Sequence, residues 1–249
     1  MRYAAVCQSP LPYPYLPYLF WKHRGFTCTR SKPYLLLTCQ LVSNLYPSYN
    51  KWWANVFYVQ ISCLQYIHSC NFIHCDLKPS NLIMGVGKHA NLVYLIDFGL
   101  SKEFRDPNTH MHIPYKDIFN LTRTATFASI HSHLGAELGR CDDLESLAYI
   151  LISFLCGSLL WEGFSCHLIV TSKQNTSTIN LCHGIPMEFH VFLEYTHSLS
   201  FDVKPGYGYL HCPFDELSSQ EGSDSRFDWV SQINMNGNLV RRPSKWHPG

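Results

Sequence analysis

From Trp52 onward the chain changes its hydrophobic spacing several times, and each change marks an element. Val56, Val59, Cys63, Leu64 and Ile67 recur every three or four positions, which predicts a helix with one buried face, ending near Ser69 to Asn71. Short apolar pieces follow, "NFIH", "NLIMG" and "NLVYLIDFG", separated by Pro, Gly and polar residues, and these predict short strands. "GVGK" at Gly85 to Lys88 supplies a turn that would fold "SNLIM" onto "NLVYLI" as a hairpin. A polar, His-rich stretch then runs from Gly99 to about Gly139, and loops of that length inside a compact domain usually carry function. The helical period restarts in "DDLESLAYILISFLCG", with acidic residues in the first turn where the helix dipole favours them. "PMEFHVFLEYTHSL" predicts a further helix, opened by Pro186. Before residue 51 Pro and aromatic residues occur without a period, and the end of the chain is polar. The expected organisation is an irregular or degenerate segment over 1–50, one α+β domain over 51–235 and a polar tail over 236–249.

Composition narrows the picture by exclusion. Hydrophobic residues make up 46% of the 249 and charged residues 15%, which suits a chain that buries a core. A formal net charge of +1 offers no bulk field to hold nucleic acid or a membrane surface, so neither is expected as a partner. The 11 cysteines are scattered and form no C-x-x-C pair, which argues against a zinc site or a disulfide framework. Prolines interrupt the opening residues before a signal-peptide core can form. The longest apolar run, Leu147 to Trp161, is shorter than the ~20 residues that span a bilayer. A cytoplasmic or nuclear protein, with no signal peptide or transmembrane helix, is expected.

Candidate chemistry concentrates in "HCDLKPSN", His74 to Asn81. Phosphoryl transfer to a hydroxyl depends on positioning and on neutralising phosphate charge. It calls for a carboxylate at the attacking hydroxyl, a nearby lysine, and an amide oxygen and second carboxylate to hold magnesium. His74, Asp76 and Asn81 match the spacing H-x-D-x-x-x-x-N, and Asp97-Phe98-Gly99 follows about 16 residues after Asn81. A lone D-F-G is a weak signal; joined to D-L-K-P-S-N at a hairpin's distance it is a strong one.

On these residues the stretch "YIHSCNFIHCDLKPSNLIMGVGKHANLVYLIDFGLSKEFRD" resembles the casein kinase I family of serine/threonine protein kinases. "THMHIPYKDIFNLTRTATFASIHSHLG" resembles its activation segment, and "RCDDLESLAYILISFLCGSLLWEG" the helix that anchors its C-terminal lobe; the likeness covers roughly 56–230. The resemblance implies a protein-kinase-like fold, mainly the helical C-terminal lobe with a truncated or degenerate N-terminal lobe. It also implies ATP and Mg2+ as cofactors and a protein as substrate or partner. By the same resemblance Asp76 would orient the substrate hydroxyl and accept its proton, Lys78 would contact the γ-phosphate, and Asn81 and Asp97 would ligate magnesium. His74, Phe98, Gly99 and Asp143 would be structural, Asp143 by bonding to the backbone of the catalytic loop.

The chain also departs from the resembled pattern. Cys75 and Cys141 stand where Arg is expected, and a thiol cannot reproduce the bidentate contacts of a guanidinium. The segment between Phe164 and Thr178 is shorter than the family's. No G-x-G-x-x-G and no glutamate occur in residues 1–73, so the usual strand lysine and helix glutamate cannot pair there. A complete upper lobe and its following helices take roughly 100 residues, so it is expected to be reduced, with "YLLLTCQL" as its surviving strand. An impaired kinase acting as a protein-binding scaffold is therefore the alternative to an active enzyme. The pairs His110/His112 and His131/His133 lack a third metal ligand in the sequence and are expected to be structural. Thr109, Thr122, Thr124, Thr126 and Ser129 are expected to be ordinary loop hydroxyls rather than phosphorylation sites.

Overall fold

A computed structural model describes residues 37–38, 52–84, 93–117 and 125–220. Helix α1, Trp52–Ser69, is the amphipathic segment read from the apolar period. Val56, Phe57, Ile61 and Leu64 are almost wholly buried on it. Strand β2, Phe72–Ile73, follows at once. β3, Leu82–Met84, and β4, Val93–Leu95, pair antiparallel with Leu82 opposite Leu95 and Met84 opposite Val93. This is the expected hairpin; its "GVGK" turn lies outside the described residues.

β1, Leu37–Thr38, falls within "YLLLTCQL" and pairs antiparallel with β3, so the first sheet has the order β1-β3-β4. A second sheet pairs β2 with β5, Lys102–Glu103. The polar stretch after Gly99 thus begins as a short strand that ties the chain back to the end of α1, where the Phe104 amide donates to the Asn71 carbonyl at 3.0 Å.

Six further helices complete the described chain: α2, Ile130–His133; α3, Arg140–Cys156; α4, Cys166–Asn175; α5, Thr178–Leu181; α6, Met187–Ser198; and α7, Tyr207–Gln220. α3 is buried on all sides from Arg140 to Ile152, as expected of an apolar segment too short to span a membrane. Its first turn is built by Gly139 and Asp142. The Gly139 amide donates to the Asp142 carboxylate at 2.7 Å, and a Cβ on Gly139 would lie 2.4 Å from the Phe201 carbonyl, so only glycine fits. Gly157 stops the helix in the left-handed conformation, φ 80°. α4 was not expected from periodicity. Only Ile169 and Lys173 are buried on it, too few to register as a stripe.

α1 packs on α3 and α7, and α3 packs on α6, around a core holding Phe57, Leu144, Tyr149, Trp161, Phe189 and Phe214. Phe57 lies at the junction, stacked on Phe214 of α7 with 22° between the rings and meeting Phe192 of α6 edge-on at 5.2 Å. Phe57→Ala is expected to lower unfolding stability by about 3–5 kcal/mol, read as a fall in the urea midpoint with little change in slope.

Candidate active site

The loop from His74 to Asn81 joins β2 to β3, and its conformation is imposed from outside. Cys75 adopts φ 69°, a left-handed geometry that costs a non-glycine residue about 1–3 kcal/mol unless something holds it. Asp143, in the first turn of α3, provides the hold. Its carboxylate accepts the amide hydrogens of His74 at 2.7 Å and Cys75 at 2.9 Å, and faces His68 Nε2 at 3.0 Å. His68 in turn meets the Tyr207 hydroxyl of α7 through Nδ1 at 2.5 Å. Burial pushes the Asp143 carboxyl up, but the His68 bond and the loop amides outweigh it and hold the group below the usual carboxylate range.

Cys75 lies in a small apolar cluster with Ile73, Phe104 and Leu138. A buried thiol behaves there as a small hydrophobe, so the position departs from the expected Arg by becoming core. Cys141 is buried as well, its thiol pushed up by burial and by Asp142 and Glu145.

His74 is fully buried, and burial drives its imidazole down in pKa, so it is neutral. Its partners fix the tautomer: Nδ1 accepts from the Asp76 amide at 3.3 Å, and Nε2–H donates to the Ile96 carbonyl at 3.1 Å. The ring also meets Phe98 edge-on at 4.8 Å. One neutral histidine thereby joins the Asp76 loop to the strand end that carries Asp97.

Asn81 closes the loop by donating from Nδ2 to the Asp76 carbonyl at 2.9 Å. Its own carbonyl accepts the Ile96 amide at 2.9 Å, continuing the β3–β4 ladder, so Asn81 sits beside the residue that precedes Asp97. Asp97 is left-handed, φ 68° and ψ 69°, and opens the 3-10 turn Phe98–Leu100. A Cβ on Gly99 would stand 3.3 Å from Asp97 Oδ1, so the glycine leaves the carboxylate its place. Lys78, partly exposed, reaches the buried Asp76 carboxylate with Nζ at 2.5 Å.

The arrangement gathers two carboxylates, an ammonium and a primary amide at the ends of one hairpin. With Asn81 Nδ2 committed to the Asp76 carbonyl, Oδ1 remains as an oxygen donor. Oδ1 and the Asp97 carboxylate are hard oxygen groups of the kind that Mg2+ takes as ligands. Among the described residues no hydrogen bond occupies the Asp97 carboxylate.

A family model described as "Protein kinase domain" matches residues 43–199, more than half of the chain. The chain belongs to the protein kinase domain family. Domains of this family use ATP and Mg2+ and act on protein substrates, and the matched span contains His74, Asp76, Lys78, Asn81, Asp97 and Asp143. The mixture of helices and small sheets is that of a kinase-like fold. Among the described residues no helix is long and apolar enough to cross a membrane.

Other groups singled out in the sequence fall elsewhere. His112 bonds to the Ile113 carbonyl through Nδ1 at 2.9 Å, and His110 takes φ 57° in the adjoining turn. His131, Asp142 and Glu145 approach within 4.8 Å of one another, but the carboxylates already accept hydrogen bonds. Asp142 takes the Gly139 amide, and Glu145 takes the Ile130 amide at 2.9 Å and the Tyr149 hydroxyl at 2.8 Å. These groups tie α2 to α3. Thr122 and Thr124 lie outside the described residues. Sequence reasoning missed His68 and Tyr207. The "YIHS" turn at the end of a buried helix was the local signal for His68, but its partner is 75 residues away.

Asp143→Asn removes the charge and one acceptor oxygen while leaving the loop amides buried. It is expected to cost roughly 3 kcal/mol of stability. Because the native carboxyl is depressed, its contribution is present above its unfolded pKa of about 4 and is lost as pH falls through the lower folded value. The Asn variant should show a correspondingly shallower loss of stability between about pH 5 and pH 2, measured by urea unfolding at each pH.

Proposed function

We propose that this protein kinase domain is of the serine/threonine, casein kinase I type. In this reading Asp76 orients and deprotonates the substrate hydroxyl, Lys78 offsets charge on the transferred phosphoryl group, and Asn81 and Asp97 hold Mg2+ against the phosphates of ATP. The observation that carries it is the joining of Asp76, Asn81 and Asp97 through His74 and the β3–β4 ladder, with the amide oxygen of Asn81 left for a cation. The Lys78–Asp76 contact suits both roles: it holds the base in place and keeps an ammonium at the point where the phosphoryl group would arrive.

The same reading assigns residues 1–50 to a degenerate upper lobe. Residues 1–73 contain no glycine-rich G-x-G-x-x-G and no Asp or Glu. Within those residues a lysine finds no acidic residue type to aim it at the α- and β-phosphates, and no glycine-rich sequence to cover them. The isolated 249-residue polypeptide is therefore expected to transfer phosphate at no more than background rate. This observation favours the second reading, a pseudokinase that binds a protein partner through the helical lobe.

The test is Mg2+-dependent incorporation of phosphate into casein by the purified chain beside Asp76→Asn. Equal, background incorporation by both is expected. Incorporation into serine or threonine that Asp76→Asn abolishes would establish an active kinase and overturn the inactivity assigned to the isolated chain. A partner pull-down that survives Asp97→Ala would support the scaffold reading, and one that is lost with nucleotide binding would oppose it.

A further inference from the structure

Residues 125–130, which lead into α2, pack Phe127 into the helical core, and their main-chain groups are held there by titratable and indole side chains. His133 Nε2 donates to the Ala125 carbonyl at 2.8 Å, and Trp161 Nε1 donates to the Thr126 carbonyl at 2.9 Å. Lys173 of α4 donates from Nζ to the Ala128 carbonyl at 2.5 Å and reaches the Ala125 carbonyl at 3.4 Å. Glu145 of α3 accepts the Ile130 amide.

Two bases therefore converge on one carbonyl. Lys173 Nζ and His133 Nε2 stand 3.5 Å apart, both turned toward Ala125. Lys173 is 4% exposed and lies over the rings of Tyr149, 4.4 Å from the centroid, and Trp161, at 5.2 Å. These faces, the two carbonyls and the nearby Glu145 carboxylate accommodate one positive charge. A second, on the imidazole, would share Glu145 with Lys173, because Asp142 is already engaged by the Gly139 amide and His131, and it would sit in direct contact with the first.

We propose that His133 and Lys173 form an acid-released latch on the 125–130 segment: closed while the pair carries no more than one positive charge, and opened when His133 takes up a second. The segment belongs to the stretch that resembles the substrate-facing activation segment, so opening it removes part of the surface against which a protein substrate or partner would lie. The latch does not require that the chain transfers phosphate.

The electrostatics run in one direction. Burial pushes the Lys173 ammonium down to about 7 against the opposing pull of Glu145. Burial and then the Lys173 charge push His133 below its ordinary value. Both bases hold protons less readily in the closed state than in the open one, so acid favours opening. The other groups facing the pocket are Glu145, Tyr149 and Asp142 from α3, His131 from α2, and His197 from α6, whose Nε2 is 3.6 Å from Glu145. Glu145 is held below the usual carboxylate range, since its hydrogen bonds outweigh the burial that pushes it up, and it stays ionised through mild acid. His131 is raised by its bond to Asp142, so its contact tightens in acid, opposite in sign to the latch.

Amide hydrogen exchange of the peptide spanning 125–135, corrected for the intrinsic pH dependence of exchange, tests this on the full chain. Between about pH 8 and about pH 5.5 the wild type is expected to lose roughly tenfold in protection there, and peptides from α1 and α3 are expected to hold theirs. His133→Gln keeps an amide donor for Ala125 but cannot be charged, and should remain protected at the acid end. Lys173→Met keeps the buried stem without the charge and should flatten the profile too, while His131→Gln should leave the loss in place. Wild-type protection that does not change with pH overturns the latch without reference to any variant, as does a loss in His133→Gln equal to that of the wild type.

Discussion

One buried carboxylate fixes the conformation on which the candidate site depends. Asp143 takes two consecutive amide hydrogens from the loop, and this bidentate grip makes a left-handed Cys75 tenable. Burying a lone carboxylate would be strongly unfavourable, and here three donors offset it: the two amides and the imidazole of His68. The position of Asp143 is itself a consequence of helix α3. The helix begins at Gly139, where no side chain fits against Phe201, and runs buried through the core to Ile152. The loop is thus held by the most deeply packed element of the fold.

That grip propagates by short steps. Cys75, turned left-handed, packs its thiol into the cluster with Phe104, and His74 is left facing the Ile96 carbonyl with a neutral ring. Asn81 repeats the connection on the next strand, bonding to the Asp76 carbonyl with its side chain and to Ile96 with its backbone. Hydrogen bonds thus tie the Asp76 loop and Asn81 to Ile96, the residue before Asp97, and restrict how far these three positions can move apart. Residues 1–73 contain no G-x-G-x-x-G sequence and no Asp or Glu.

Much of this was legible from the chain alone, for identifiable reasons. α1 announces itself by three-and-four spacing, α6 by a helical segment opened at Pro186, α3 by its acidic first turn and apolar length, and the β3–β4 pair by two apolar pieces flanking a glycine-rich turn. The catalytic spacing from His74 to Gly99 is local, so it survives reading without a structure. What was hidden depends on partners remote in sequence. His68 looks like the polar end of a helix until Asp143 is placed against it, and Lys173 is one polar residue in a stretch without apolar period until Tyr149 and Trp161 enclose it. Cys75 reads as the loss of an arginine; its apolar surroundings become visible only when β5 brings Phe104 beside it. α4 escaped because a helix with two buried positions has almost no hydrophobic stripe.

Asp143 locks the loop as firmly as the core itself is locked. Residue-resolved amide exchange of His74 and Cys75 tests it most directly. Under such a lock both amides exchange only on global unfolding, with an opening free energy equal to that measured for the buried amides of α3. If instead they exchange through local fluctuations, with an opening free energy several kcal/mol below the global value, the carboxylate does not hold the loop and the geometry of the candidate site must be maintained by something else.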